Sequence, residues 1–157
     1  MSESSISVSN KARRAISSDE VRKIKGELIR SAHIRLKRAT KLGFHIEAVA
    51  ILESLITDRL ESLIAISEKN QIDIGNLGPA NKINYEAGRI SEELHLDLKK
   101  WAKDRAKVIH EMVKVSNVID SDWRERMKFA RSTSSEGLRL LKKLDLIVKQ
   151  YKRNYKS

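Results

Sequence analysis

Apolar residues in this chain of 157 residues recur every three or four positions, the repeat of a helix with one buried face, and four long segments carry the pattern. In the first, Val21, Ile24, Leu28, Ala32, Leu36 and Ala39 form the stripe, and Arg22, Lys23, Arg30, Lys37 and Arg38 lie off it. Ser17-Ser18-Asp19-Glu20 offers its N-cap and an acidic first turn, and Gly43 ends it. The second, Phe44 to about Ser67, is the most apolar, with Val49, Leu52, Ile56, Leu60 and Leu63 flanked by Ala48, Ile51 and Leu55. A helix apolar over that much of its circumference is central and touches two neighbours or a second subunit.

Residues 70–84 hold Gly75, Gly78, Pro79 and several Asn, and read as a loop. A third helix is expected from about Tyr85 to Val115, then a turn over 116–122 with Asp120 or Ser121 as the cap. A fourth follows from Trp123 to Tyr155, with Leu138, Leu141, Leu144 and Val148 as its stripe and a break expected around Ser132-Thr133-Ser134-Ser135. Aromatic residues make up 4% of the chain and Pro79 is its single proline, which suits an all-α fold. The expected architecture is an up-and-down bundle of four or five helices over residues 18–157, one domain, preceded by a Ser-rich basic arm over 1–17.

Without cysteine there is no disulfide framework and no thiolate metal site. Charge interrupts every apolar run and the first residues lack a signal-peptide core, so a soluble cytoplasmic protein without a membrane partner is expected. The net charge of +11 divides into +6 over residues 1–40, −2 over 41–120 and +7 over 121–157. If the first and last helices are neighbours, these flanks form one positive surface, and a polyanion such as nucleic acid is the natural partner.

One residue breaks the pattern. Leu94, Leu98, Trp101, Val108, Ile109 and Met112 mark a single face of the third helix, and at about 100° per residue Arg105 falls near its middle. A guanidinium there must meet a carboxylate, a carbonyl or a phosphate, because leaving it unpaired costs several kcal/mol. Glu53, beside the stripe of the second helix, is the candidate partner.

Most catalytic chemistry is excluded. The histidines His33, His45, His95 and His110 show no i, i+4 pairing and no His-Glu-x-x-His grouping, and the single Glu-x-x-His, Glu92 with His95, lacks the second copy of a di-iron bundle, so neither a metal nor a cofactor is expected. No phosphate-cradling Gly-Lys-Ser/Thr is present, and no serine sits on a nucleophile elbow. An arginine and a histidine in a basic helical chain remain.

The segment Arg105-Ala106-Lys107-Val108-Ile109-His110 resembles the Arg-x(4–6)-His motif of the HEPN (higher eukaryotes and prokaryotes nucleotide-binding) domain family. The order of elements is similar too: a Glu-bearing apolar helix around 46–55, a loop with Leu77-Gly78, a helix running through Leu98 and Trp101 to the Arg and His, and a closing long helix. Arg38 with His45 and Arg89 with His95 also fit the bare spacing. The first pair straddles Gly43 and the second lies early in its helix, so Arg105 and His110 match best by position. Ala106 departs from the family, whose nuclease members commonly carry a polar residue there, often Asn.

The resemblance implies a homodimer in which two Arg105/His110 pairs face one cleft and cleave RNA without metal, in a toxin–antitoxin or phage-defence setting with an antitoxin or other partner protein. In such a site a histidine moves the proton of the 2′-hydroxyl or of the leaving oxygen, and the arginine neutralises the phosphate. Glu53, Asp104 and Glu111 are supporting candidates, and Lys99, Lys103 and Lys107 are candidate nucleic-acid contacts. On an ideal helix Arg105 and His110 stand about 140° apart, so the reach of the Arg, a local distortion or a second subunit must unite them. The alternative is a non-catalytic helical module that binds nucleic acid or an acidic partner, with Arg105 bridged to Glu53.

Overall fold

The second helix organises the bundle. In the computed structural model, which describes residues 18–69, 74–114 and 122–156, there are five helices and no strand among those residues. They are α1 (Ser18–Leu42), α2 (His45–Glu68), α3 (Leu77–Glu86), α4 (Glu92–His110) and α5 (Trp123–Asn154). α2 packs against all four others, most extensively against α5. Its apolar circumference is therefore used within the chain: Ala48, Val49, Leu52, Leu55, Ile56, Leu60, Leu63 and Ile64 are all buried. The arm expected over 1–17 lies outside the described residues.

α1 packs on α2, and an ionic chain from Lys25 through Asp58 and Arg59 of α2 reaches Asp145 of α5. Leu36 and Ala39 are buried, but Ile24 is 46% and Leu28 65% exposed, so the expected stripe holds only in the second half. A helix with one neighbour covers a narrower strip than its sequence stripe, which leaves the edge residues overhanging. Gly43 turns the chain at φ +77°, a conformation that strains residues with a Cβ, and α2 begins two residues later.

Residues 77–84, expected within a loop, form most of α3. Pro79 sits in its first turn, where the backbone N–H has no helical partner to lose. Two of the asparagines that suggested a loop, Asn81 and Asn84, are buried: Asn84 Nδ2 donates to the carbonyls of Leu60 and Ala80 at 2.9 Å, and Asn81 Nδ2 donates to the His95 carbonyl at 3.1 Å. These bonds tie α3 to α2 and α4. Gly88, at φ +70°, turns the chain out of α3 before Ile90 enters the core. The expected third helix thus divides into the end of α3 and a separate α4.

α5 begins at its Asp122 cap, whose carboxylate accepts from the Glu125 N–H at 2.8 Å, and residues 115–121 lie outside the described residues. The expected interruption at 132–135 does not occur. Thr133 and Ser134 are buried, and the Thr133 hydroxyl donates back to the Phe129 carbonyl at 2.9 Å, so this polar stretch is accommodated without a break. Gly137 makes room one turn further on: a Cβ there would lie 2.9 Å from Leu52 Cδ1 and 2.9 Å from Trp101 Cζ2. α2, α4 and α5 meet at that glycine.

Candidate functional site

α4 is fixed at both ends. Ser91 caps it, its hydroxyl accepting from the Leu94 N–H at 3.2 Å, and Glu92 and Glu93 place negative charge at the positive end of the dipole. At the other end Arg126 of α5 donates Nη1 to the carbonyls of Glu111 and Met112 at 2.8 and 2.7 Å, and Nη2 to that of Lys114 at 2.6 Å. One guanidinium thereby satisfies three carbonyls just after His110 and holds the tail of α4 against the start of α5. Sequence reasoning missed Arg126, because its partners are main-chain atoms and carry no residue-type signal.

Trp101 anchors the middle of the helix. It is 1% exposed, packs between Leu52 and Gly137, and its indole N–H donates to the Thr133 carbonyl at 2.9 Å. Arg105, one turn further along the same face, reaches α2, and its Nη2 meets Glu53 Oε1 at 2.9 Å. The side chains are 20% and 34% exposed, so this bridge stands at the mouth of the core and not inside it. Arg105 Nε is buried with no hydrogen-bond partner among the described residues, so Glu53 does not use the full donor set of the guanidinium.

His110, the last residue of α4, is exposed. The helix is regular up to it, so no distortion brings it round to Arg105; the arginine faces α2 and the histidine faces away from the core. Lys99, Lys103 and Lys107 are likewise exposed, on the outer side. Asp104 lines a cleft between α4 and α5 with Asp97, Trp101, Phe129 and Glu136, apart from the Arg105–Glu53 bridge. The Glu111 side chain is exposed, and its carbonyl is one of those held by Arg126.

The other two Arg/His pairs of matching spacing are engaged differently. Arg89 is 11% exposed at the side chain with Nη2 3.5 Å from Glu68, and His95 stacks on Tyr85 with ring centroids 4.3 Å apart. Arg38 is exposed beside a groove near Arg35, Leu42 and Phe44, while His45 opens α2. Among the described residues no group of three or more His, Cys, Asp or Glu side chains is disposed to hold a metal ion.

A second ionic contact on α2 was not foreseen. Asp58 receives Lys25 of α1 at 2.8 Å and the neighbouring Arg59, whose Nη1 lies 3.9 Å from Asp145 of α5. Burial by itself raises the pKa of Asp58, but the hydrogen bonds and charges of Lys25 and Arg59 outweigh it and hold the carboxyl below its ordinary 3.8. At the edge of the α4–α5 cleft, Arg139 binds both Asp97, at 2.7 Å, and Glu136, and these carboxylates raise its pKa further above the already high guanidinium value.

No helix among the described residues is long and apolar enough to cross a membrane. No family model, curated protein or solved structure matches this chain.

Proposed function

We propose that this chain is a HEPN-type, metal-independent endoribonuclease that acts as a homodimer, with Arg105 and His110 as its catalytic pair. The observation that carries this reading is the state of Arg105: a guanidinium oriented by Glu53 at 2.9 Å, yet 20% exposed, one and a half turns before an exposed histidine. A carboxylate that holds the arginine fixes its direction without removing all of its donors. An oriented guanidinium neutralises a phosphate as charge builds on it, and an imidazole moves the proton of the attacking or leaving oxygen. Because the two side chains leave α4 in different directions, a second protomer supplies the histidine facing a given Arg105. The exposed apolar residues Ile24, Leu28, Leu42 and Phe44 provide surface for such an assembly. A toxin or phage-defence role, with a restraining partner, follows from the same resemblance, and Lys99, Lys103 and Lys107 would meet the RNA strand.

The second reading is a non-catalytic module that binds RNA or a partner protein, and the same bridge favours it. Glu53 satisfies the charge of Arg105 within one chain, and Ala106 replaces the polar residue common in active members. Incubation of RNA with wild type and with His110→Ala in EDTA separates the two. The nuclease reading expects cleavage by the wild type that falls at least about 100-fold in the variant. Equal or absent cleavage in both supports the module.

A further inference from the structure

Charge on α5 is ordered along one line. Arg124, Lys128, Arg131, Lys142 and Lys149 follow one another at intervals of three, four, seven or eleven residues, so all five project from the same side of the helix, and Arg153 continues the line. All are exposed, and the first five have no carboxylate partner among the described residues. Between Arg131 and Lys149 the line is filled by Ser135, the half-buried Leu138 and the exposed Leu146, and it contains no acid. Two of the acids of α5 lie off this line and are engaged elsewhere: Glu136 with Arg139, and Asp145 near Arg59. A helix of 32 residues is about 48 Å long, so the ladder runs almost the length of the molecule's longest element.

We infer that this ladder is a docking surface for the phosphate backbone of a double-stranded nucleic acid. Three features select that partner. Arg124, Lys128, Arg131, Lys142 and Lys149 have no carboxylate partner among the described residues, so binding a polyanion there breaks no bridge to them, unlike binding at Arg35, Arg59 or Arg139. Second, it is long and straight, and a duplex presents a phosphate about every 1.7 Å of axis along its length. Third, the aromatic residues of α5, Trp123, Phe129, Tyr151 and Tyr155 at its end, all lie on other faces, whereas a single-strand site needs aromatic platforms for its bases. A membrane surface is disfavoured by the scarcity of apolar residues on the line. The first rungs share the end of α5 with Arg126 but lie about 160–200° round the helix from it, so the ladder faces away from the tail of α4. The ladder binds whether or not Arg105 and His110 cleave.

The test is a salt titration of binding in EDTA to an RNA duplex of about 20 base pairs, with the corresponding DNA duplex and single-stranded RNA as further arms. For Arg131→Gln/Lys142→Gln/Lys149→Gln, the slope of log affinity against log salt should fall by about three, and affinity near 0.1 M salt by on the order of 100-fold. The equally charged Lys23→Gln/Arg30→Gln/Lys37→Gln variant on α1 should lose less. All substituted residues are exposed, so both variants should melt like the wild type. Stronger binding to the RNA duplex than to DNA identifies an A-form ligand, and equal binding identifies the backbone alone; either supports the ladder. Tightest binding to the single strand, or equal losses in the two variants, overturns it. His110→Ala should bind the duplex like the wild type, so a failure of the nuclease reading leaves this result intact.

Discussion

Two successive turns of α4 meet α2 in opposite ways. At Trp101 the contact is sealed: the indole is 1% exposed, packs on Leu52 and Gly137, and spends its one donor on a main-chain carbonyl. At Arg105, four residues on, the same face meets Glu53, the residue after Leu52, through a bridge partly open to solvent. Two helices with one crossing thus hold a space-filling contact and a polar one side by side. The first fixes where α4 lies. The second holds a cation that the fold does not need at that strength, because bridges open to solvent contribute about 1 kcal/mol or less. Stability and chemistry should therefore separate along α4.

The sharpest break of the comparison is on the sealed side. Trp101→Ala removes the largest fully buried side chain and leaves a cavity between α2, α4 and α5, which should cost about 3–5 kcal/mol in denaturant unfolding. A loss below about 1 kcal/mol would mean that this layer does not fix the helix.

Asp58 gives an intermediate case on the same α2, since its side chain is 15% exposed and it receives two cations. Asp58→Asn should cost about 1–2 kcal/mol at neutral pH. Its folded pKa lies below 3.8, so the wild-type advantage is present above the unfolded value and lost as pH falls through the folded one. The stabilities of the two proteins should converge below about pH 4, by unfolding at several pH values. A gap that stayed constant to pH 2 would contradict the ionic origin.

How legible these features were depends on where each partner lies. The stripes of α2, α4 and α5 were readable because a buried face is a local repeat, and Arg105 stood out as the one charge on such a stripe. Glu53 was found by the same logic, applied to the facing helix. α3 was not readable. Gly78, Pro79, Asn81 and Asn84 carry loop chemistry, and what makes them helical is the first-turn position of the proline and carbonyls on α2 and α4 that receive the asparagines. Ile24 and Leu28 fit a stripe but overhang, since the sequence does not say how many neighbours α1 has. The ladder on α5 was present in the spacing of its cations, yet a count of net charge by segment averages that order away.

The smallest expected change in stability belongs to Arg105→Ala, and it bears most directly on the central claim. With Glu53 34% exposed, water solvates the carboxylate once the arginine is gone, so unfolding stability should drop by only about 1 kcal/mol. RNA cleavage per folded molecule, measured in EDTA alongside the melting curve, should fall by about 100-fold or more, the usual consequence of removing a group that neutralises developing charge. A melting temperature many degrees below that of the wild type, with cleavage per folded molecule unchanged, would show that Arg105 is a structural bridge and not part of a catalytic site.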